Sequence, residues 1–197
     1  MNKRIMIKTR LIVLCMLSCL TVLICSCGDK GVPRPRGHFR IDLPEKAYTR
    51  FDSTCPFTFE YPVYSVIRTE AGMNEYCWFN IEFPQYRAKL HLSYMNVGNE
   101  LSLLTEDAHI LAYKHSVKAD AIEEKLWINK EKNVYGIIYL ISGDAASSVQ
   151  FFVTDSLSHY LRGSLYFDAQ PDKDSLAPVI SFFRDDIVHL IETLEWQ

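Results

Sequence analysis

Histidine has the widest chemical range of the residue types in this chain, because imidazole can bind a metal ion or move a proton. Five histidines lie beyond residue 40, at His91, His109, His115, His159 and His189. No two of them are four residues apart, the spacing at which one helix presents two imidazoles to a metal ion. We therefore predict no metal site and no cofactor.

A serine activated by a histidine is the catalytic alternative. Its candidates are His91, His115 or His159 with Ser147 or Ser156. A nucleophile elbow needs Gly-x-Ser-x-Gly between a strand and a helix, whereas the nearest such segment, GDAAS from residue 143, lies between two predicted strands. We interpret it as a turn in which Gly143 supplies a positive φ and Asp144 closes the backbone. The sequence thus favours a protein that is not an enzyme.

Polar side chains gather at the end of the first predicted helix. They suit a solvated helix end, because cations stabilise a helix carboxyl terminus, and a binding surface is the other interpretation. Aromatic residues in the predicted strands allow either core or edge positions or a platform for a small ligand or glycan, which makes a small-ligand or glycan-binding envelope lipoprotein the alternative function. They are Trp78, Phe79, Tyr86 and Tyr94. The candidate partner or ligand surface comprises Trp78, Tyr86, Lys114, His115, Lys118, Asp120 and Asp144.

The amino terminus has the organisation of an export signal. Basic residues at Lys3, Arg4, Lys8 and Arg10 precede an almost wholly apolar stretch from residue 11 to residue 24, which is typical of a signal peptide. A helix of that length rises roughly 21 Å, which is short for a hydrocarbon core of about 30 Å. A permanent transmembrane helix is therefore the weaker alternative.

A lipid attachment motif follows this stretch. The segment Ile24-Cys25-Ser26-Cys27-Gly28 resembles a lipobox, with an aliphatic residue three positions before the acylated cysteine and a small residue directly before it. We predict a lipoprotein signal peptide over residues 1–26, lipidation at Cys27, a glycine- and proline-rich tether over residues 27–37 and a single domain over residues 38–197. The lipid would hold the domain at a membrane of the cell envelope.

Export also determines which cysteines remain in the folded domain. Of the six cysteines, three leave with the signal peptide and Cys27 carries the lipid, so that Cys55 and Cys77 remain. An extracytoplasmic compartment favours a disulfide between them. Two buried free thiols are the alternative.

The charge of the chain argues against a nucleic-acid partner. Removing residues 1–26 takes away four positive charges and no negative ones, so that the net charge falls from −3 to −7. An acidic domain lacks the basic face that phosphate backbones require. The remaining length suits one well-buried core.

Apolar periodicity divides the domain into strands and helices. Alternating runs predict strands at residues 39–43, 57–61, 78–83, 89–94, 121–128, 134–142, 149–154 and 160–167. Helical spacing occurs over residues 100–117 and in the last segment up to Leu194. Asp174 or Ser175 would cap the last helix and place Pro178 in its first turn.

These elements predict an α+β fold. We expect an antiparallel sheet of about seven strands packed with two main helices, and a three-layer α/β/α sandwich is one form that this pattern allows.

The order of several motifs resembles a known family. They are PRPRGHFRIDLP ending at Pro44, CPFTFEYP from Cys55, CWFNIEFPQYRAKLHLSY from Cys77, EDAHILAYKHSVKAD from Glu106, GDAASSVQFFVTDS from Gly143, LRGSLYF from Leu161 and DSLAPVISFF from Asp174. With these motifs the chain is similar to the gliding-motility lipoprotein family GldD. The resemblance implies an outer-membrane-associated lipoprotein that is needed for gliding, is linked to type IX secretion and has no established catalytic residue. We predict that it faces the periplasm. Its expected partners are envelope secretion or motility proteins.

Overall fold

The computed structural model describes residues 41–69, 77–168 and 173–197, with side chains from residue 175 in the last range, and helical positions 6–8, 10, 12–14 and 16–17. The chain divides into two units, Met1–Gly37 and His38–Gln197. Cys27 and the tether lie outside the described residues, so their assignment stays a prediction. No helix within the described ranges has both the length and the apolar character needed to cross a membrane.

Most strands belong to one large antiparallel sheet. Its strands are β3 (Val66–Arg68), β4 (Trp78–Phe83), β5 (Ala88–Asn96), β6 (Ala119–Asn129), β7 (Val134–Gly143), β8 (Ser147–Thr154) and β9 (His159–Phe167), in the order β3-β4-β5-β9-β8-β7-β6. A second sheet has the order β1-β2-β10 and consists of β1 (Tyr48–Phe51), β2 (Phe57–Pro62) and β10 (Glu195–Trp196). The predicted α+β class with an antiparallel sheet is confirmed.

The two helices cover opposite faces of the large sheet. The long helix α2 (Lys173–Thr193) packs on the face that carries Phe151 and Leu165, together with the second sheet. The shorter helix α1 (Leu101–Tyr113) packs on the face that carries Tyr139 and Phe152. All eight residues of the interior strand β8 are consequently buried. The second unit therefore has the three-layer α/β/α arrangement, with a small sheet added beside α2.

A disulfide links the two sheets. Cys55 lies between β1 and β2, and Cys77 lies directly before β4, with 5.7 Å between their Cα atoms. The predicted pairing is present in the structure. Because the bond closes a loop across 22 positions, the chain-entropy account gives it about 3 kcal/mol of stabilisation.

The structure corrects two predicted boundaries. Residues 41–43 belong to no strand; Tyr86 Oη instead donates to the carbonyl oxygen of Asp42 at 3.0 Å, so a side chain rather than a backbone ladder holds this segment. The last helix begins at Lys173, which places Pro178 in its second turn and not its first. Pro178 therefore removes one backbone hydrogen bond inside the helix.

Candidate functional site

The predicted polar cluster begins where α1 ends. The helix continues as a short 3₁₀ turn over Lys114–Val117, and the backbone N–H of Lys118 donates to the carbonyl oxygen of His115 at 3.0 Å. Lys114 and Lys118 are exposed, whereas His115 is half-buried against the sheet. The turn thus separates two solvated lysines from one histidine that faces inward.

The loop after β7 brings Asp144 to the same region. Gly143 has φ +107°, as predicted for this turn, and its backbone pairs with Ala119 at the start of β6. A Cβ at Gly143 would lie 2.6 Å from the backbone nitrogen of Asp120, so the two chain segments touch. Asp120 and Asp144 are both exposed beside this contact. The structure therefore brings together the part of the predicted surface that follows α1.

The two aromatic members of the predicted surface lie elsewhere. Trp78 is on β4, and its Nε1 donates to the carbonyl oxygen of Tyr94 at 2.7 Å. Tyr86 packs edge-on against Phe183 with 5.5 Å between ring centroids. Phe79 is buried, and Tyr94 packs against the same core as Tyr86. Phe79, Tyr86 and Tyr94 thus have contacts with the core, and a ligand platform formed by these rings stays a prediction.

The sheet face under α1 carries a polar row that the sequence patterns did not reveal. Cα partners across six neighbouring strands are Asn80, His91, Ser164, Gln150, Tyr139 and Glu124. Adjacent strands lie about 4.8 Å apart, so these side chains form one continuous line. Ser164 is at the centre of the row, on β9.

Ser164 has a small side chain that lies between larger side chains on the same face of the sheet. Arg162 and Tyr166 flank it along β9 on the same face, and His91 and Gln150 oppose it on the adjacent strands. His115 approaches from above, with its ring centroid 6.4 Å from that of Tyr166. We name this group of side chains the Ser164 trough.

Two buried polar atoms at this trough have no hydrogen-bond partner among the described residues. They are Oγ of Ser164 and Nε2 of Gln150. Ser164 is 3 % exposed and Gln150 is 2 % exposed. Buried polar groups normally have hydrogen-bond partners. Unpaired polar atoms on the buried strands β8 and β9 therefore require an explanation.

The electrostatics of the trough are positive, although the domain as a whole is acidic. Arg162 donates to Oε1 of Gln150 at 2.9 Å and forms no ion pair with a carboxylate of the described ranges. Burial, and then the charge of Arg162, lower the pKa of His115 from its ordinary value. The trough therefore has a surplus of positive charge and of donors.

The serine and histidine candidates have mostly structural contacts. His159 Nδ1 lies 2.9 Å from the hydroxyl of Tyr94, and Ser147 Oγ donates to the carbonyl oxygen of Val149 at 3.5 Å. Ser156 occupies a turn with φ +67°. Among the residues that the structure describes, no group of three or more histidine, cysteine or acidic side chains is arranged to hold a metal ion.

A weak sequence signal for the trough existed in β8 and β9. Gln150 interrupts a strand that is otherwise rich in Val and Phe, and Ser164 interrupts LRGSLYF. Polar residues at inward positions of a central strand are uncommon. The signal identifies unusual positions, but only the strand register shows that they adjoin one another.

Comparison with known proteins identifies the family. The family model for the gliding motility lipoprotein GldD matches residues 28–196. No curated protein sequence matches the chain. The solution structure of cyanobacterial PsbP (CyanoP) from Synechocystis sp. PCC 6803 is similar with a TM-score of 0.47 and 12% identity, over 87% of this chain and 98% of that one, which is too distant to support an argument. Because the family match extends over most of its length, the chain belongs to the gliding motility lipoprotein GldD family.

Proposed function

We propose that this protein is a non-catalytic accessory subunit of gliding motility or type IX secretion, anchored by lipid at Cys27 in the outer membrane and facing the periplasm. The observation that carries the proposal is the family match, which begins at residue 28, directly after the cysteine of the lipobox-like segment. An acylated cysteine would become the first residue of the mature chain. The matched segment is then the mature protein without its lipidated first residue and its last residue.

The anchor sets where the domain acts. Two or three fatty chains, each buried methylene contributing ~0.8 kcal/mol, hold a protein at a bilayer far more firmly than a single chain does. A tether over residues 27–37 extends at most about 35 Å. The domain therefore works close to its own leaflet, on a partner that is itself at or in the membrane.

The exposed groups around the Gly143 loop are suited to such a partner. Lys114, Lys118, Asp120 and Asp144 present both charge signs on one region of the surface. Exposed charges of mixed sign favour recognition and orientation of a partner more than tight burial. This region supports a contact function and supplies no nucleophile held by a base.

Genetic complementation tests the proposal. In a host that both glides and secretes through the type IX system, deletion should abolish colony spreading or reduce secreted cargo. Wild-type protein should restore the phenotype. Cys27→Ala should fail to do so and should leave the membrane fraction, whereas the matched control Cys25→Ala should restore it. A deletion strain that spreads and secretes normally would overturn the proposal.

The contact surface has its own test. Lys114→Glu combined with Lys118→Glu should reduce crosslinking to envelope partners in intact cells, measured by quantitative mass spectrometry. The control is Lys125→Glu on β6, a lysine that lies outside the cluster and contacts Glu123 at 3.6 Å. Equal crosslinking yields for all three proteins would place the partner surface elsewhere.

A further inference from the structure

We infer that the Ser164 trough is a binding site for a small anion that carries a phosphate or carboxylate group. This inference does not depend on the proposed role in motility or secretion. It rests on the orientation of one amide, on the surplus of donors around it and on the burial of the groups that lack partners.

The orientation of the Gln150 amide follows from its neighbour. Arg162 has five N–H donors and no acceptor, so the atom of Gln150 that it contacts must be the carbonyl oxygen. Oε1 of Gln150 lies 2.9 Å from Nη2 of Arg162. Nε2 of Gln150 is thereby turned away from Arg162 and offers two N–H donors that no described residue accepts.

The groups around the trough donate hydrogen bonds more readily than they accept them. The guanidinium of Arg162 and Nε2 of Gln150 are donors only, and the hydroxyl of Ser164 is free to donate. A cation in this position would be repelled by Arg162. The ligand that completes these hydrogen bonds must therefore be rich in acceptors and negatively charged.

Two carboxylates on the strands of this sheet face are already engaged. Glu82 accepts from Arg68 at 2.9 Å and from Lys89 at 3.1 Å. Glu124 accepts from the hydroxyl of Tyr113 at 2.9 Å, at the far side of the sheet on β6. Neither carboxylate is free to neutralise Arg162, so an anion from outside the described chain is the natural counterpart.

The burial of the unpaired donors separates this site from an ordinary basic surface patch. Gln150 and Ser164 are more than nine-tenths buried, and an unpaired buried donor is costly to maintain. Arg162, Tyr166 and His115 are half-buried and His91 is exposed. An anion can therefore approach between His91 and Arg162 and reach the inner donors when the side chain of His115 moves aside.

Titration of the full-length detergent-solubilised lipoprotein tests the inference. Inorganic phosphate and acetate are the two probes, each added at constant ionic strength, and the readout is the side-chain amide resonance of Gln150. We expect a saturable shift with at least one probe. Arg162→Gln should weaken binding by tenfold or more, Ser164→Ala should weaken it severalfold, and Arg162→Lys should retain part of it.

The control removes the same charge on the other side of the sheet. Arg184→Gln changes an arginine of α2, which packs on the opposite face, and should leave the dissociation constant unchanged. A stronger response to phosphate identifies a phosphate-bearing ligand, and a stronger response to acetate identifies a carboxylate; either result supports the site. No saturable shift with either probe, or equal weakening by Arg162→Gln and Arg184→Gln, would overturn it.

Discussion

Arg162 on β9 reaches across to the neighbouring strand and donates from Nη2 to Oε1 of Gln150 over 2.9 Å. This contact places the guanidinium of Arg162 above β8, a strand whose residues are all buried. The charge of the guanidinium helps to lower the pKa of His115. The Ser164 trough therefore depends on one contact between neighbouring strands. It joins a charged, half-buried arginine to a neutral, buried glutamine.

His115 should report the charge of Arg162 directly. Burial, and then Arg162, lower its pKa from 6.5. A pH titration of the His115 ring by NMR should give a midpoint below that value. Arg162→Gln should raise the midpoint, whereas Arg162→Lys should keep it low because the positive charge remains.

The same shift has a consequence for stability. Since the folded-state pKa of His115 is depressed, its neutral ring contributes stability above about pH 6.5, and this contribution is lost as the pH falls through the folded-state pKa. Below pH 6.5 the free energy of unfolding, measured with urea, should fall less steeply in His115→Gln than in the wild type. An identical pH profile for both proteins would show that His115 titrates normally.

Asp186 should be among the side chains whose removal is most costly. It is 3 % exposed; its Oδ1 accepts from Lys46 at 2.5 Å and from Tyr48 at 3.0 Å, and its Oδ2 accepts from Tyr64 at 2.7 Å. Burial and the hydrogen bond to Asp186 raise the pKa of both tyrosines, so both stay protonated donors.

Asp186→Asn should lower the free energy of unfolding by about 2–3 kcal/mol, measured by urea denaturation. A fully buried pair loses more, about 3–5 kcal/mol, but Lys46 is 30% exposed and can turn to water. The matched control is Asp185→Asn, whose side chain is 63% exposed and which should change stability by less than about 0.5 kcal/mol. Equal effects of the two variants would contradict the network.

Gly143 and Gly98 provide a matched pair for the loop beside Asp120. Both have positive φ, +107° and +51°, but an added Cβ meets the backbone only at Gly143, whereas at Gly98 it meets nothing within 4 Å. Gly98→Ala should cost about 1 kcal/mol of unfolding free energy. Gly143→Ala should cost about 2–4 kcal/mol, because strain and a backbone clash add. Thermal unfolding of both variants makes the comparison, and a smaller loss at Gly143 would be the contrary result.

The Cys55–Cys77 bond should stabilise the domain by about 3 kcal/mol. Urea unfolding with and without a phosphine reductant measures this, and a thiol assay shows that the bond has opened. In the double variant Cys55→Ala, Cys77→Ala the reductant should have no effect. Unchanged stability of the wild type after complete reduction would show that the bond adds nothing.

The sequence predicted those elements whose signal is local. Apolar periodicity was enough to predict the apolar stripe of α2 and the pair of strands β8 and β9. The conformational preference of glycine was enough to predict the positive φ of Gly143. Strands β1, β3 and β10 were not predicted, because strands of four, three and two residues carry too short a pattern. The Ser164 trough was also beyond reach, since Gln150, Ser164 and His91 become neighbours only through the register of three strands.

The central claim, a domain held at an envelope membrane by lipid on Cys27, is tested most directly by the intact mass of the protein extracted from host membranes. The account predicts a chain that begins at Cys27 and carries the mass of two or three acyl chains, and a loss of that mass in Cys27→Ala. A membrane-bound chain that begins at Met1, or one without acyl mass, would contradict it.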